Sequence, residues 1–249
     1  MGIRLAGLLA AAALSIVGCT QASRTQEASD PHAEPTVALL TSLPIVWPEA
    51  GDVSGLLAES GPPHWALAVL GAEGTVHPLD TLTDERGHMR VAQGALLVMA
   101  QPYPLSPQDN VALDRWVQGG GCVLLFADPM LTFESHYALG DRRRPQDIAL
   151  LSPILTRWGL ELRFDETQPA GERVAAGDLA MPVNLPGTFA IGDETGRCAL
   201  NADGLIADCR IGQGRMLAVA DAALLEPRED GPDRARANAL NMLLKRVTR

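Results

Sequence analysis

Short, almost wholly apolar runs alternate with helical patterns through most of this 249-residue chain. Such runs are typical of parallel strands that are buried on both faces of a sheet. The predicted strands are 36–45, 75–79, 95–101, 122–128, 160–166 and 214–224. Because parallel strands need crossover helices, the alternation predicts a doubly wound, mostly parallel α/β sheet with helices on both faces.

Two of the intervening helices carry clear boundary signals. Ser106 is followed by Pro107 and then by Asp109, which is the pattern of an N-cap, a first helical proline and a capping box. A shorter helix is expected between Ser152, as its N-cap, and Gly159.

The segment 168–212 differs from the rest, since proline, glycine and short alternating stretches replace the helical patterns. It predicts an antiparallel β subregion that is appended to the sheet. Asp203-Gly204 favours a two-residue type I′ turn, and counting outward from it places Cys198 opposite Cys209, about 5.5 Å apart at Cα. That separation allows a disulfide, and two free strand cysteines are the alternative.

The chain starts with a short leader. Arg4 precedes an apolar run, Leu5 to Val17, which is too short to span a bilayer, where about 20 apolar residues are needed. The ending at Cys19 resembles a bacterial lipoprotein signal, which implies that residues 1–18 are removed and that Cys19 carries the lipid. An ordinary secretory signal, with Cys19 incidental, is the alternative.

Residues 19–35 are small and polar, and they predict a flexible tether to a single domain at 36–249. This organisation places the protein on the periplasmic side of the cell envelope, with its lipid as the membrane contact. Thr20, rather than aspartate, favours the outer membrane in enteric-type bacteria.

Composition argues against several classes of partner. The net charge is −10 and the pI is about 4.9, so no basic surface is expected to bind nucleic acid or anionic lipid. Gly119 to Gly121 precede a strand and not a helix, so they do not form a phosphate-binding loop. The histidines lack metal-ligand spacing: His32, His64, His77, His88 and His136. We therefore expect neither a metal nor a cofactor.

Two stretches together resemble a known family. The first is ALLVMAQPYPLSPQDNVALDRWVQGGGCVLLFADP (95–129), and the second is GQGRMLAVADAALL (212–225) with the later helix RANALNMLL (236–244). They are similar to GldG-like auxiliary domains of ABC-type transport systems. The resemblance implies a flavodoxin-like fold shared with class I glutamine amidotransferases, and a non-enzymatic extracytoplasmic role beside a transport or envelope protein.

Amidotransferases place a nucleophile on a tight strand-to-helix turn, and the chain has no G-x-C-x-G or G-x-S-x-G pattern. We therefore expect no catalytic residue of this kind. One group of polar residues is predicted at the carboxyl ends of the strands, joined by three arginines of a long loop: Thr41, Ser42, Gln101, Asp128, Asp221, Arg142, Arg143 and Arg144. These could bind a carboxylate or phosphate ligand, or a partner. Alternatively, the two aspartates cap loops and the arginines pair with Asp141, Asp147 and other acids.

Three functions follow as hypotheses. The favoured one is a lipid-anchored, non-enzymatic component that binds a ligand or a partner protein. The second is a hydrolase that uses Asp128 or Asp221, and it predicts a carboxylate with a strongly perturbed pKa. The third is a structural envelope lipoprotein. Trp47 and Trp65 are expected to pack in the core, and the alternative is that they line the crevice at the carboxyl ends of the strands.

Overall fold

The computed structural model describes residues 35–49, 63–175, 179–192, 197–227 and 234–249. The predicted leader at 1–18, the lipidation site Cys19 and the tether as far as residue 34 lie outside these ranges, so export and lipidation stay predictions. Within them, no helix combines the length and the apolar composition needed to cross a bilayer.

The helices are α1 (Trp65–Glu73), α2 (Pro107–Gln118), α3 (Ser152–Arg157) and α4 (Arg234–Val247). The first five strands are β1 (Thr36–Thr41), β2 (Thr75–Leu79), β3 (Leu96–Ala100), β4 (Cys122–Phe126) and β5 (Leu160–Arg163). The others are β6 (Arg173–Val174), β7 (Pro182–Val183), β8 (Thr188–Ile191), β9 (Arg197–Asn201), β10 (Ile206–Ile211) and β11 (Gly214–Val219).

A seven-stranded sheet in the order β2-β1-β3-β4-β11-β10-β9 forms the centre of the fold. The strands from β2 to β11 in this order run parallel, whereas β10 is antiparallel to β11 and to β9. All five residues of β3 are buried, as expected of a strand covered on both faces. The predicted α/β fold with a mostly parallel sheet and additional antiparallel strands is therefore confirmed.

Helix α2 has the predicted capping box. The Ser106 hydroxyl accepts from the Asp109 N–H at 3.0 Å, and the Asp109 carboxylate accepts from the Ser106 N–H at 3.3 Å. The end of the helix packs closely on the sheet, since a Cβ at Gly121 would lie 2.3 Å from the Trp116 ring. A Cβ at Gly214 would lie 2.0 Å from the Val117 carbonyl oxygen, so both positions require glycine.

Several predicted boundaries are wrong, and three of them have a clear cause in the structure. The run 36–45 leaves the sheet after Thr41, because the Thr41 hydroxyl accepts from the Leu43 N–H at 2.9 Å and turns the chain. The run 214–224 leaves it after Val219, before a 3₁₀ turn at Ala223–Leu225. Ser152 is the first residue of α3 and not its N-cap, since buried Leu151 takes that position without a side-chain cap.

The predicted fifth strand forms outside the main sheet. β5 pairs antiparallel with β8 in a separate two-stranded sheet, and β6 pairs with β7 in another. The sequence of β5 explains its antiparallel pairing, because buried Leu160 and half-buried Leu162 alternate with exposed Glu161 and Arg163. A strand with one polar face is typical of an antiparallel sheet that is open to solvent on one side.

The hairpin of β9 and β10 has the predicted register, and Cys198 and Cys209 form a disulfide. The predicted two-residue turn is wrong, since Asn201 pairs with Ile206 across a four-residue turn. Ala202 and Asp203 both have a positive φ there, at 49° and 53°. The cysteine Cα atoms are 4.0 Å apart, which is nearer the spacing of about 4.5 Å between non-hydrogen-bonded pairs than the 5.5 Å expected.

The two tryptophans predicted in the core differ in position. Trp65 is partly buried against the core, whereas Trp47 is 80% exposed in the loop after β1, so the prediction for Trp47 is wrong. Trp47 lies beyond the end of the strand, next to Pro48.

Candidate functional site

The carboxyl ends of the parallel strands bring together five of the predicted site residues. Thr41 ends β1 and Ser42 follows it, Gln101 follows β3, and Asp128 and Asp221 come two residues after β4 and β11. Four of these side chains are buried polar groups, the exception being the partly exposed Thr41. A residue of this group can contact a substrate only if its side chain is exposed and is not fully engaged in hydrogen bonds to the loops.

Gln101 connects three segments of this edge. Its side-chain oxygen accepts from the Asp128 N–H at 2.8 Å, and its amide donates to the carbonyls of Asp128 at 3.0 Å and Gln146 at 2.8 Å. Ser42 completes the junction, because its hydroxyl donates to the Gln101 carbonyl and accepts from the Gln146 N–H at 2.9 Å. Gln101 adopts φ 45°, a left-handed conformation that costs a non-glycine residue energy.

Asp128 and Asp221 are fully buried side by side at neighbouring strand ends. Asp128 accepts from the N–H groups of Met130 and Ala222, at 2.8 and 2.9 Å. Asp221 accepts from the N–H groups of Asn184 and Ala223, at 2.9 and 2.6 Å. Each aspartate therefore forms a hydrogen bond to the backbone of the loop that follows it. Asp128 also bonds the loop after Asp221, and Asp221 also bonds the backbone of Asn184.

Burial gives both carboxyl groups unusual proton affinity. It raises the pKa of Asp128 to about 7, although the N–H groups of Ala222 and Met130 oppose the rise. Burial also raises the pKa of Asp221 well above its ordinary value, and the nearby charge of Asp128 adds to this effect. Two carboxyl groups in this position resist ionising together, so the pair holds a proton at neutral pH.

Glu226 is a third carboxyl group, which sequence reasoning missed. It is only partly buried, it follows the turn Ala223–Leu225, and its side chain accepts from the Thr132 hydroxyl at 2.7 Å. Burial raises the pKa of Glu226, while Thr132 and the positive charge of Arg236 oppose the rise and Glu172 adds to it.

Arg236 links Glu226's turn to a fourth carboxyl group. It is 1% exposed, and its guanidinium donates to the carbonyls of Ala223 and Leu224 and forms an ion pair with Glu172. The Glu172 side chain is 44% exposed, so this ion pair spans from the interior to the surface. We call Asp128, Asp221, Glu226 and Glu172 the carboxyl cluster.

The three predicted arginines belong to the loop after β4, and two of them form ion pairs within it. Arg143 forms an ion pair with Asp141 at 2.7 Å and lies over the Tyr137 ring at 4.2 Å. Arg144 pairs with Asp147 at 2.9 Å, and Arg142 is exposed. Arg143 and Arg144 thus pair with acidic residues as the alternative interpretation expects, and the binding of a ligand by the three arginines stays a prediction.

The described residues contain no group of histidine, cysteine and acidic side chains arranged to hold a metal ion. His64 is the N-cap of α1, where its Nδ1 accepts from the Ala66 N–H at 3.2 Å. Burial lowers the pKa of His64 to about 4, which keeps it neutral at physiological pH.

Sequence reasoning missed Glu226, Thr132, Asn184, Arg236 and Glu172. A weak signal existed for Glu226, because it lies five residues after Asp221 in a run that is otherwise apolar. Arg236 gave another, since it occupies a buried position of α4 among Ala and Leu residues. Nothing in the sequence indicates that Asn184 and Glu172 come from the β-rich segment to this edge.

No protein-family model matches the chain, and neither does any curated protein. Solved structures do match. A β-galactosidase from Rahnella sp. R3 is 13% identical with a TM-score of 0.46, over 86% of this chain and 31% of the enzyme. An exo-β-1,4-mannosidase from Opitutaceae bacterium strain TAV5 is 14% identical with a TM-score of 0.42, over 77% and 32%. A cytoplasmic protein from Salmonella typhimurium LT2 is 12% identical with a TM-score of 0.43, over 73% and 85%.

These comparisons contradict the GldG-like identification and the non-enzymatic binding function that it implied. The matching structures named above are two glycosidases and a cytoplasmic protein, and not GldG-like or amidotransferase domains, so the earlier prediction is wrong. The chain spans about a third of the length of each glycosidase. At TM-scores below 0.5, the likeness carries no argument about this chain's substrate.

Proposed function

We propose that the chain is a hydrolase with a carboxylate-based site at the carboxyl edge of the sheet. The observation that carries the proposal is the carboxyl cluster itself, in which two buried aspartates lie behind a partly exposed glutamate whose pKa is raised. A carboxyl group whose pKa is raised by burial is suited to general acid catalysis. Glu226 takes this role, because Asp128 and Asp221 are too deeply buried to touch a substrate.

Glu172 is the second carboxyl group of the proposed site. Hydrolysis by paired carboxyl groups needs one that donates a proton and one that is ionised, acting as base or nucleophile. Glu172 forms an ion pair with Arg236, and it is close enough to raise the pKa of Glu226. This division of roles suits the glycosidic bond, whose leaving oxygen must be protonated as the bond breaks.

The strand order supports the position of the site. We propose that the parallel strands β2-β1-β3-β4-β11 form a flavodoxin-like sheet, because their order has the pattern 2-1-3-4-5. In open sheets of this kind, ligands bind outside the carboxyl ends of the strands, where the carboxyl cluster lies.

Replacing Glu226 by glutamine is expected to lower the hydrolysis of an aryl glycoside by about 100-fold or more, the usual contribution of a general acid. Glutamine keeps the oxygen that accepts from Thr132 but cannot donate a proton as an acid does. Release of nitrophenol from a panel of aryl glycosides, esters and anilides measures this. Glu166→Gln, at an exposed position, is the control.

Two results would contradict the proposal. One is the absence of turnover across the whole panel for the wild-type protein, which would favour a structural role. The other is a Glu226→Gln variant that hydrolyses the best substrate as fast as the wild type.

A further inference from the structure

Asn184 makes three hydrogen bonds that converge on the carboxyl cluster. Its backbone N–H donates to Asp221 at 2.9 Å, and its side-chain amide donates to the Thr132 hydroxyl at 3.1 Å. Its side-chain oxygen accepts from the Gly171 N–H at 2.9 Å, next to Glu172 in sequence. Asn184, a residue of the β-rich segment, therefore bonds Asp221 itself, the Thr132 hydroxyl that bonds Glu226, and the residue before Glu172.

The backbone beside Asn184 is strained. Leu185 has φ 53°, in the left-handed region, which is unfavourable for a branched, non-glycine residue. Leu185 is half-buried and lacks the conformational freedom of a glycine, so contacts with the surrounding residues must stabilise this backbone conformation. Strain of this kind is retained where the surrounding structure fixes it, and it concentrates at functional sites.

Thr132 passes the effect of Asn184 to Glu226. Its oxygen accepts from the Asn184 amide, which leaves the hydroxyl hydrogen free to point at the Glu226 carboxylate, 2.7 Å away. The charged and titratable groups that face Glu226 are Asp128, Asp221, Glu172 and Arg236. Thr132 is a neutral neighbour of Glu226. The direction in which its hydroxyl donates depends on the hydrogen bond that it accepts from Asn184.

We propose that Asn184 is a positioning residue of this site, fixing Asp221 through its backbone and Glu226 through Thr132. The inference rests on the proposed function for its catalytic meaning, but the hydrogen-bonded relay can be tested without turnover. It also assigns a role to the β-rich segment 168–212, which brings Asn184 and Glu172 to the carboxyl edge of the sheet.

The test is a pH titration of Glu226 by ¹³C NMR of glutamate-labelled protein, with the resonance assigned by its loss in Glu226→Gln. Thr132→Val removes the hydroxyl with little change in shape, and it is expected to raise the pKa of Glu226 by about one unit, since a hydrogen bond to a charged group contributes roughly that much. Asn184→Ala keeps the backbone bond to Asp221 and is expected to raise the same pKa by about half a unit, because Thr132 becomes free to rotate. Thr156→Val and Asn238→Ala, at exposed positions, are the controls.

A pKa of Glu226 that stays at the wild-type value in Asn184→Ala overturns the inference, even if the variant is less stable. Should Asn184→Ala fail to fold, an unchanged pKa in Thr132→Val overturns it as well. A raised pKa in both variants without any hydrolysis by the wild type would support the relay and reject the proposed function, so the two failures are distinguishable.

Discussion

Replacing Gln101 by leucine is expected to lower the free energy of unfolding by about 4 kcal/mol, because several buried polar groups lose their partners together. Leucine is similar in size, but it leaves the Asp128 N–H and the carbonyls of Asp128 and Gln146 without the amide that now bonds them. Gln101 is fully buried, so water cannot replace the lost bonds without opening the junction. Chemical denaturation monitored by circular dichroism measures the change.

Gln101→Glu sharpens this test. A carboxylate can still accept from the Asp128 N–H, but it cannot donate to the two carbonyls, so we expect a loss of stability at least as large as that of Gln101→Leu. Gln108→Leu, at an exposed position of α2, is the control and should change the free energy of unfolding little. A Gln101→Leu variant as stable as this control would contradict the assigned role of Gln101.

The second large effect is the loss of one stabilising contribution, that of Asp128, as the pH rises. Between about pH 4 and pH 7 the folded protein holds a proton on Asp128 that the unfolded chain has already released. The contribution of Asp128 to the free energy of unfolding must therefore fall through this range, by about 4 kcal/mol for a pKa shift of about three. The stabilisation is fully present below the unfolded pKa and is lost as the pH rises through the folded one. Denaturation of the wild type at a series of pH values measures the slope.

Asp128→Asn isolates the contribution of this group. Asparagine cannot ionise, so we expect the free energy of unfolding of the variant to rise relative to that of the wild type between about pH 4 and pH 7, whatever constant offset the substitution adds. Two groups act in the opposite direction to Asp128: burial lowers the pKa of His64 to about 4, and Arg215 and Arg246 lower the pKa of Asp208 although burial opposes them, but both effects are common to the two proteins. Asp80→Asn, at an exposed position, should keep the wild-type slope. Equal slopes in Asp128→Asn and the wild type would show that Asp128 titrates normally.

The sequence was informative where short-range rules determine the structure. The capping box of Ser106 and Asp109 depends on neighbouring residues, and the structure contains it. The register of Cys198 and Cys209 follows from counting along a hairpin, and it is correct even though the turn is longer than expected. Asp128 and Asp221 could be placed at one edge because parallel strands all end on the same side of a sheet.

The rest depends on contacts between distant segments. Glu226, Thr132 and Asn184 meet through hydrogen bonds that join three loops, and no local pattern records which loops approach each other. The ion pair between buried Arg236 and Glu172 likewise joins segments that are far apart in the chain. The alternating pattern of β5 fits an antiparallel sheet, but it could not show that the partner strand would be β8.

The central claim is that a carboxyl group of the cluster gives its proton to a substrate. The most direct test is the pH dependence of kcat/KM for the best substrate of the panel, measured for the wild type and for Glu226→Gln from about pH 4 to pH 9. The account predicts that the wild-type value falls as the pH rises through the raised pKa of Glu226, and that Glu226→Gln lacks this descending limb. A descending limb that persists in Glu226→Gln, or a wild-type protein without turnover at any pH, would contradict it.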